Sequence, residues 1–271
     1  MLSDSSSVPA GLPPVVAPKK PAHNKIGTVP WGAPAAIFYA LGVAFLGAQL
    51  LVGLALGVYL AVLFHFSEAQ LTSWFETIPG QFIYTFLAEM LMLALIILYV
   101  RAKKGTPAML GLNRLQWKYV GFALLGIGTY IVGYILILSV ASALIPSLNL
   151  YQEQDIGFKN PNGLHEYAMV FLSLVVLPPV VEEIMFRGFM YAGLRRRLPF
   201  VVAAICTSIL FAIGHLQIGN GQPLLWVAAI DTFVLSMVMC FIREKTGSIW
   251  PTIFMHVIKN GVAFTFLYLV K

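Results

Sequence analysis

The chain has 271 residues, of which 59% are hydrophobic and only 10% charged, with a mean hydropathy of +0.84. That is too little polar surface to coat a water-soluble globule. The net charge of +6 does not point to nucleic acid, because Lys and Arg gather in short segments between apolar runs, where orientation signals for a lipid bilayer collect. Cys206 and Cys240 lie inside apolar segments with no ligand spacing around them, so neither a disulfide framework nor a zinc knuckle is supported and both read as core residues.

Residues 1–34 are rich in proline, with a serine run at Ser5 to Ser7 and lysines at 19, 20 and 25, and read as a disordered cytoplasmic tail. The next run, Ala35 to about Phe64, is too long for a signal-peptide core and reads as a retained first span. Further spans are expected at Gly80 to Val100, Tyr119 to Ile145, Tyr167 to Leu194, Pro199 to Ile218, Pro223 to Ile242 and Ile249 to Val270. Each is long enough to cross a hydrocarbon core of roughly 30 Å as a helix. Their continuous rather than alternating apolarity favours helices, which satisfy their own backbone hydrogen bonds in lipid. The fold class is therefore all-α: a polytopic transmembrane helix bundle of about seven spans, or eight if a short one near either end is added. Residues 35–271 form one transmembrane domain.

Basic residues precede span one and follow spans two (Arg101, Lys103, Lys104, Arg114, Lys118), four (Arg195 to Arg197) and six (Arg243, Lys245). The other connections carry Glu68, Glu76, Glu153, Asp155 and Glu166. This alternation predicts a cytoplasmic N-terminus and an exterior C-terminus. Gly53 and Gly57, and the glycines at 121, 126, 128 and 133, predict close helix packing within the protomer or across a homodimer.

Ionisable groups inside a lipid-spanning segment are costly, so each is a functional candidate. Span four reads Leu177-Pro178-Pro179-Val180-Val181-Glu182-Glu183-Ile184-Met185-Phe186-Arg187. The proline pair is expected to break or kink this helix and to start a second half-helix near Pro179, with both carboxylates near its positive N-terminal end. Glu183 and Arg187 stand at i, i+4 on one face, whereas Glu182 is about 140° from Arg187. An arginine that neutralises Glu183 leaves Glu182 free to act as a base. Span five contributes Phe211 and His215, and span seven His256 and Asn260, each an i, i+4 pair. A lone histidine in an apolar helix is more often a packing residue. Together with the glutamates, these groups are the parts of an amide-hydrolysing site: a carboxylate base, a histidine sharing its water, and donors for an oxyanion.

E-E-x-x-x-R at Glu182, Glu183 and Arg187, F-x-x-x-H at Phe211 and His215, and H-x-x-x-N at His256 and Asn260 come in that order on three apolar helices. In this the chain resembles the CAAX protease and bacteriocin-processing family, which includes the eukaryotic Ras-converting enzyme. The likeness covers about 167–270, the expected catalytic core. It implies an intramembrane glutamate endopeptidase without a cofactor. Glu182 and His215 would activate water, His256 and Asn260 would stabilise the oxyanion, and Glu183, Arg187 and Phe211 would support them. The implied partner is a membrane-associated polypeptide substrate, prenylated CAAX proteins being the family's best-known class. The family also contains members described only as immunity or scaffold proteins, so the alternative is a catalytically silent scaffold that binds membrane peptides.

Other classes fit less well. The sequence His165-Glu166-Tyr167-Ala168-Met169 places methionine where a zinc protease needs its second histidine, no G-x-S-x-G elbow is present, and Asp231 is the lone intramembrane aspartate. Two carboxylates and two histidines could ligate zinc, which ranks behind metal-free hydrolysis. A transporter is weaker still without internal repeats. Glu89 in span two is unexplained. Asp231 and Lys259 stand at equal depth on neighbouring antiparallel spans and predict an ion pair. The same count places Glu182, His256 and His215 roughly 20, 15 and 25 Å from the cytoplasmic edge, not quite level.

Overall fold

The computed structural model describes residue 26 and residues 28–152, 154–218 and 223–270. Most of the expected tail, with Lys19, Lys20 and Lys25, lies outside the described residues, as does Glu153. Among the described residues the regular structure is helical. The long elements are α1 (Ala33–Leu63), the short α2 (Glu68–Glu76), α3 (Ile78–Ala102), α4 (Lys118–Leu144), α5 (Gly163–Arg195), the shorter apolar α6 (Phe200–Ile213), α7 (Trp226–Thr246) and α8 (Trp250–Leu269). Six of these are long and apolar enough to cross a membrane. The seventh expected crossing is α6. Its 14 residues cover only about 21 Å, and it ends just short of His215.

The ends sort as the charge pattern predicts. At one end Asn113 Nδ2 donates to the carbonyl of Gly247, the Ile249 amide donates to that of Gly111, and Arg195 forms a two-pronged contact with Glu244 (2.7 and 3.1 Å). The basic connections meet there. At the other end Gln81 accepts from the Phe158 amide, Gln152 donates to the Leu224 carbonyl and Gln217 to that of Asp155. The acidic connections meet there. The first span starts with a capless Gly32 and a Pro34 at its first turn, and α2 by contrast opens on a capping box between Ser67 and Gln70.

Three expectations need correction. The disordered tail does not reach residue 34. Val29 and Trp31 are buried, and Trp31 donates its indole N–H to the carbonyl of Phe189 while stacking on that ring at 5.0 Å. An aromatic with a polar handle that finds both partners is anchored, whatever the composition around it. Gly57, Gly121 and Gly128 face open space, and the close approaches in α1 are made instead by Ala36, Ala40, Ala44 and Ala48, all fully buried. Gly126 does what was expected of it: an added Cβ would stand 2.5 Å from Ile242 of α7 and 2.8 Å from Met255 of α8. Arg243 is not a topology signal. It is 2% exposed, donates through Nε to the carbonyl of Arg187, and rests against Gly111, where a Cβ would come within 2.6 Å of its guanidinium carbon.

Candidate active site

The helix α5 passes through Pro178 and Pro179 without breaking. No second helix starts at Pro179. The chain instead widens into π-helical turns over Leu172–Val176, where the Leu177 amide reaches back five residues to Leu172. Wide turns of this kind occur at functional sites. The prolines still leave a mark. The carbonyl of Leu174 would be served by the amide four residues on in an α-helix or five on in a π-helix, and those residues are Pro178 and Pro179, neither of which has an N–H. Asn260 of α8 takes up that carbonyl with its side-chain amide at 2.8 Å. A defect in one helix thereby fixes the third motif's asparagine to the first motif's helix.

A second π-helical stretch, Ile184–Met190, comes after the glutamate pair and carries Arg187. As the helical phase predicts, Arg187 meets Glu183 and not Glu182: Nη1 to Oε1 is 2.7 Å, and both side chains are wholly enclosed. The same Glu183 oxygen accepts from His256 Nδ1 at 3.1 Å. A carboxylate oxygen only accepts, so Nδ1 of His256 carries a proton and Nε2 is left to face Glu182, 3.9 Å from its Oε2. That separation is too long for a direct hydrogen bond. Glu182 is also the exposed member of the pair, with 24% of its side chain accessible against none for Glu183.

His215 lies just past the end of α6. Its Nδ1 stands 2.9 Å from the carbonyl of Phe211, which fixes the proton on that nitrogen and leaves Nε2 as the free one. Phe211 is the hub that ties the motifs together. Its ring meets those of His215 (4.8 Å), His256 (5.9 Å) and Phe186 (5.0 Å), and the Arg187 guanidinium lies over it at 4.4 Å. The uneven depths counted from the sequence therefore do not keep the three helices' residues apart.

Asp231 and Lys259 form the expected ion pair, Nζ to Oδ2 2.7 Å, with side chains 17% and 26% exposed. The hydroxyl of Tyr130 in α4 donates to the other Asp231 oxygen. The sequence singles out no Tyr130: a tyrosine in a glycine-rich span carries no motif. Besides its neighbours Glu183 and Arg187, Glu182 is acted on by the charges of Glu89 and Lys259. Lys259 acts likewise on His215 and His256. Among the described residues, no three His, Cys, Asp or Glu side chains are grouped to hold a metal ion.

This assembly supplies a partly accessible carboxylate, two histidines of fixed proton placement and an asparagine amide. Residues 164–262 match the family model described as Type II CAAX prenyl endopeptidase Rce1-like. The Bacillus subtilis (strain 168) protein named "Putative membrane peptidase YdiL" is 32% identical over 92 residues, 34% of this chain and 34% of the relative. The chain thus matches about a third of that relative's length. No solved structure matches it. The matched segment contains all three motifs and every contact that joins them, and over it this multi-pass membrane protein is similar to the Rce1-like CAAX prenyl endopeptidases.

Proposed function

We propose that the protein is an intramembrane endopeptidase that hydrolyses membrane-associated polypeptides, with Glu182 as the base. The observation that carries the proposal is the division between the two glutamates. Glu183 is enclosed and bonded to Arg187 and His256, while Glu182 is accessible and has no cation of its own. In the proposed reaction Glu182, with Nε2 of His215, takes a proton from water as its oxygen bonds to the scissile carbonyl carbon. The oxyanion is stabilised by the free N–H of the Asn260 amide and by His256 as an imidazolium, whose Nδ1–H stays on Glu183 and whose Nε2–H donates to the oxyanion. The C–N bond then breaks, and the proton passes from Glu182 to the leaving amine. No metal or other cofactor takes part in these steps. Prenylated CAAX-type polypeptides are the substrate class the family suggests. The basic ends face the cytoplasm in this proposal, the N-terminus with them.

One observation favours the silent peptide-binding scaffold instead: an N–H of Asn260 is already spent on Leu174. A single experiment separates the two. Purified protein in lipid nanodiscs is incubated with membrane-anchored test peptides, wild type against Glu182→Gln, with and without chelator. We expect cleavage by the wild type that survives chelator and falls by about 10²- to 10⁴-fold in the variant. Equal cleavage by both proteins removes Glu182 as base, loss in chelator makes the chemistry metal-dependent, and absence of cleavage across a broad peptide library selects the scaffold.

A further inference from the structure

Most charges within the spans or at their ends have a partner: Arg187 has Glu183, Lys259 has Asp231, Arg195 has Glu244, and Arg243 has the carbonyl of Arg187. Among the described residues, two intramembrane carboxyls have no cation of their own, Glu182 and Glu89. Glu89 is 6% exposed and its Oε2 has no hydrogen-bond partner among the described residues. It lies on the face of α3 that also carries Met92 and Ile96, both fully buried. These pack into one cluster with Val181, Ile184 and Met185, which bracket Glu182 in α5. Glu89 is therefore turned towards the helix that holds the proposed base. Helix α3 packs directly against the Leu177–Glu183 stretch of α5 that ends on the glutamate pair.

As a packing residue Glu89 would be a poor choice, since an apolar side chain would fill the same space without a buried polar atom to satisfy. We propose that Glu89 is a positioning residue for Glu182: the two carboxyls hold one proton between them, and Glu89 keeps it while Glu182 is charged and accepts from water. The inference rests on the assignment of Glu182 as base. Two negative charges in so dry an interior, with both nearby cations committed elsewhere, cost more than one charge and one acid. The other charged and titratable groups around Glu182 are Glu183 and Arg187 on its own helix, His256 and Lys259 on α8 and His215 after α6, with Asp231 of α7 on Lys259 and Tyr130 of α4 on Asp231. On the α1 side of α3, Tyr39 is bonded to the Leu95 carbonyl. Throughout the cycle Glu89 keeps its proton; the one that moves goes from water to Glu182 and on to the leaving amine.

The test uses the full chain in nanodiscs and two readouts. Glu89→Gln removes the competing carboxyl but keeps its shape. The acidic limb of the kcat/KM profile should then move to lower pH by roughly one unit, because nothing contends with Glu182 for the single charge. A purely structural Glu89 would lower the rate or the melting temperature and leave the limb in place, and that result overturns the proposal. The second readout needs no activity: the infrared carbonyl stretch of a protonated carboxyl should be present at neutral pH in the wild type and absent in Glu89→Gln. A band that persists in Glu89→Gln, or is missing from the wild type, also overturns it. If Glu182→Gln cleaves as the wild type does, the base assignment fails, and the infrared measurement still decides whether Glu89 holds a proton.

Discussion

Among the described residues, two intramembrane pairs join an arginine or lysine to a carboxylate, and they are built in opposite ways. Glu183 and Arg187 sit one turn apart on a single helix, without accessible surface, stacked on Phe211 and shared with His256. Asp231 and Lys259 join two helices, keep about a fifth of their surface exposed, and take a third partner, Tyr130, from another. The first pair has given up its solvation, so its value lies in what each member would cost without the other. The second retains some, so each member could survive alone at moderate cost. A dry pair fixes the geometry of His256 permanently, whereas a partly wet one can lend charge to the site and adjust.

That contrast can be broken by experiment, and the largest effect should come from the dry pair. Arg187→Ala leaves Glu183 buried without its cation and should lower the unfolding free energy by about 3 to 5 kcal/mol, read by denaturation in mild detergent. A loss no larger than that of Lys259→Met would show that the two pairs do not differ as their burial says. Asn260→Ala removes both the amide proposed for the oxyanion and the hold on Leu174. We expect kcat to fall by about 10²- to 10³-fold with a stability loss near 1 kcal/mol. A stability loss without a kcat effect would make Asn260 a structural tie alone.

For the wet pair, a double-mutant cycle with Asp231→Asn and Lys259→Met should give a coupling of about 1 kcal/mol that shrinks as salt is raised, while coupling between Glu183 and Arg187 is insensitive to salt. Strictly additive losses would mean that the observed 2.7 Å contact contributes nothing.

Much of the site was legible because it rests on short-range rules. Helical phase alone assigns Arg187 to Glu183, and counting depth along two joined spans brings Asp231 to Lys259. What escaped depends on backbone bookkeeping and on contacts far apart in sequence. The proline pair announces a disturbance, but whether it becomes a break or a π-turn depends on the neighbours that support it. The partner of the Leu174 carbonyl could have been sought from the two missing donors, yet its identity, Asn260, lies 86 residues away. Trp31 stands in a proline-rich stretch whose composition says disorder, and only the distant Phe189 carbonyl and ring show otherwise. Arg243 sits one residue before Glu244, where basic residues usually mark a membrane edge, and no local rule reveals that Gly111 leaves room for it inside.

The shortness of α6 has a consequence for where water comes from. Fourteen apolar residues leave about 9 Å of a hydrocarbon core unspanned, and the helix gives way there to irregular chain bearing His215 and Gln217. Lipid tails do not tolerate bare backbone, so the leaflet on that side must thin or yield to an aqueous recess that reaches the imidazole. A hydrolase embedded in oil has to import one of its two reactants. Under the proposed function the supply line is the stretch of membrane that α6 leaves uncrossed, and its depth is set by the acyl chains around it as much as by the residues within.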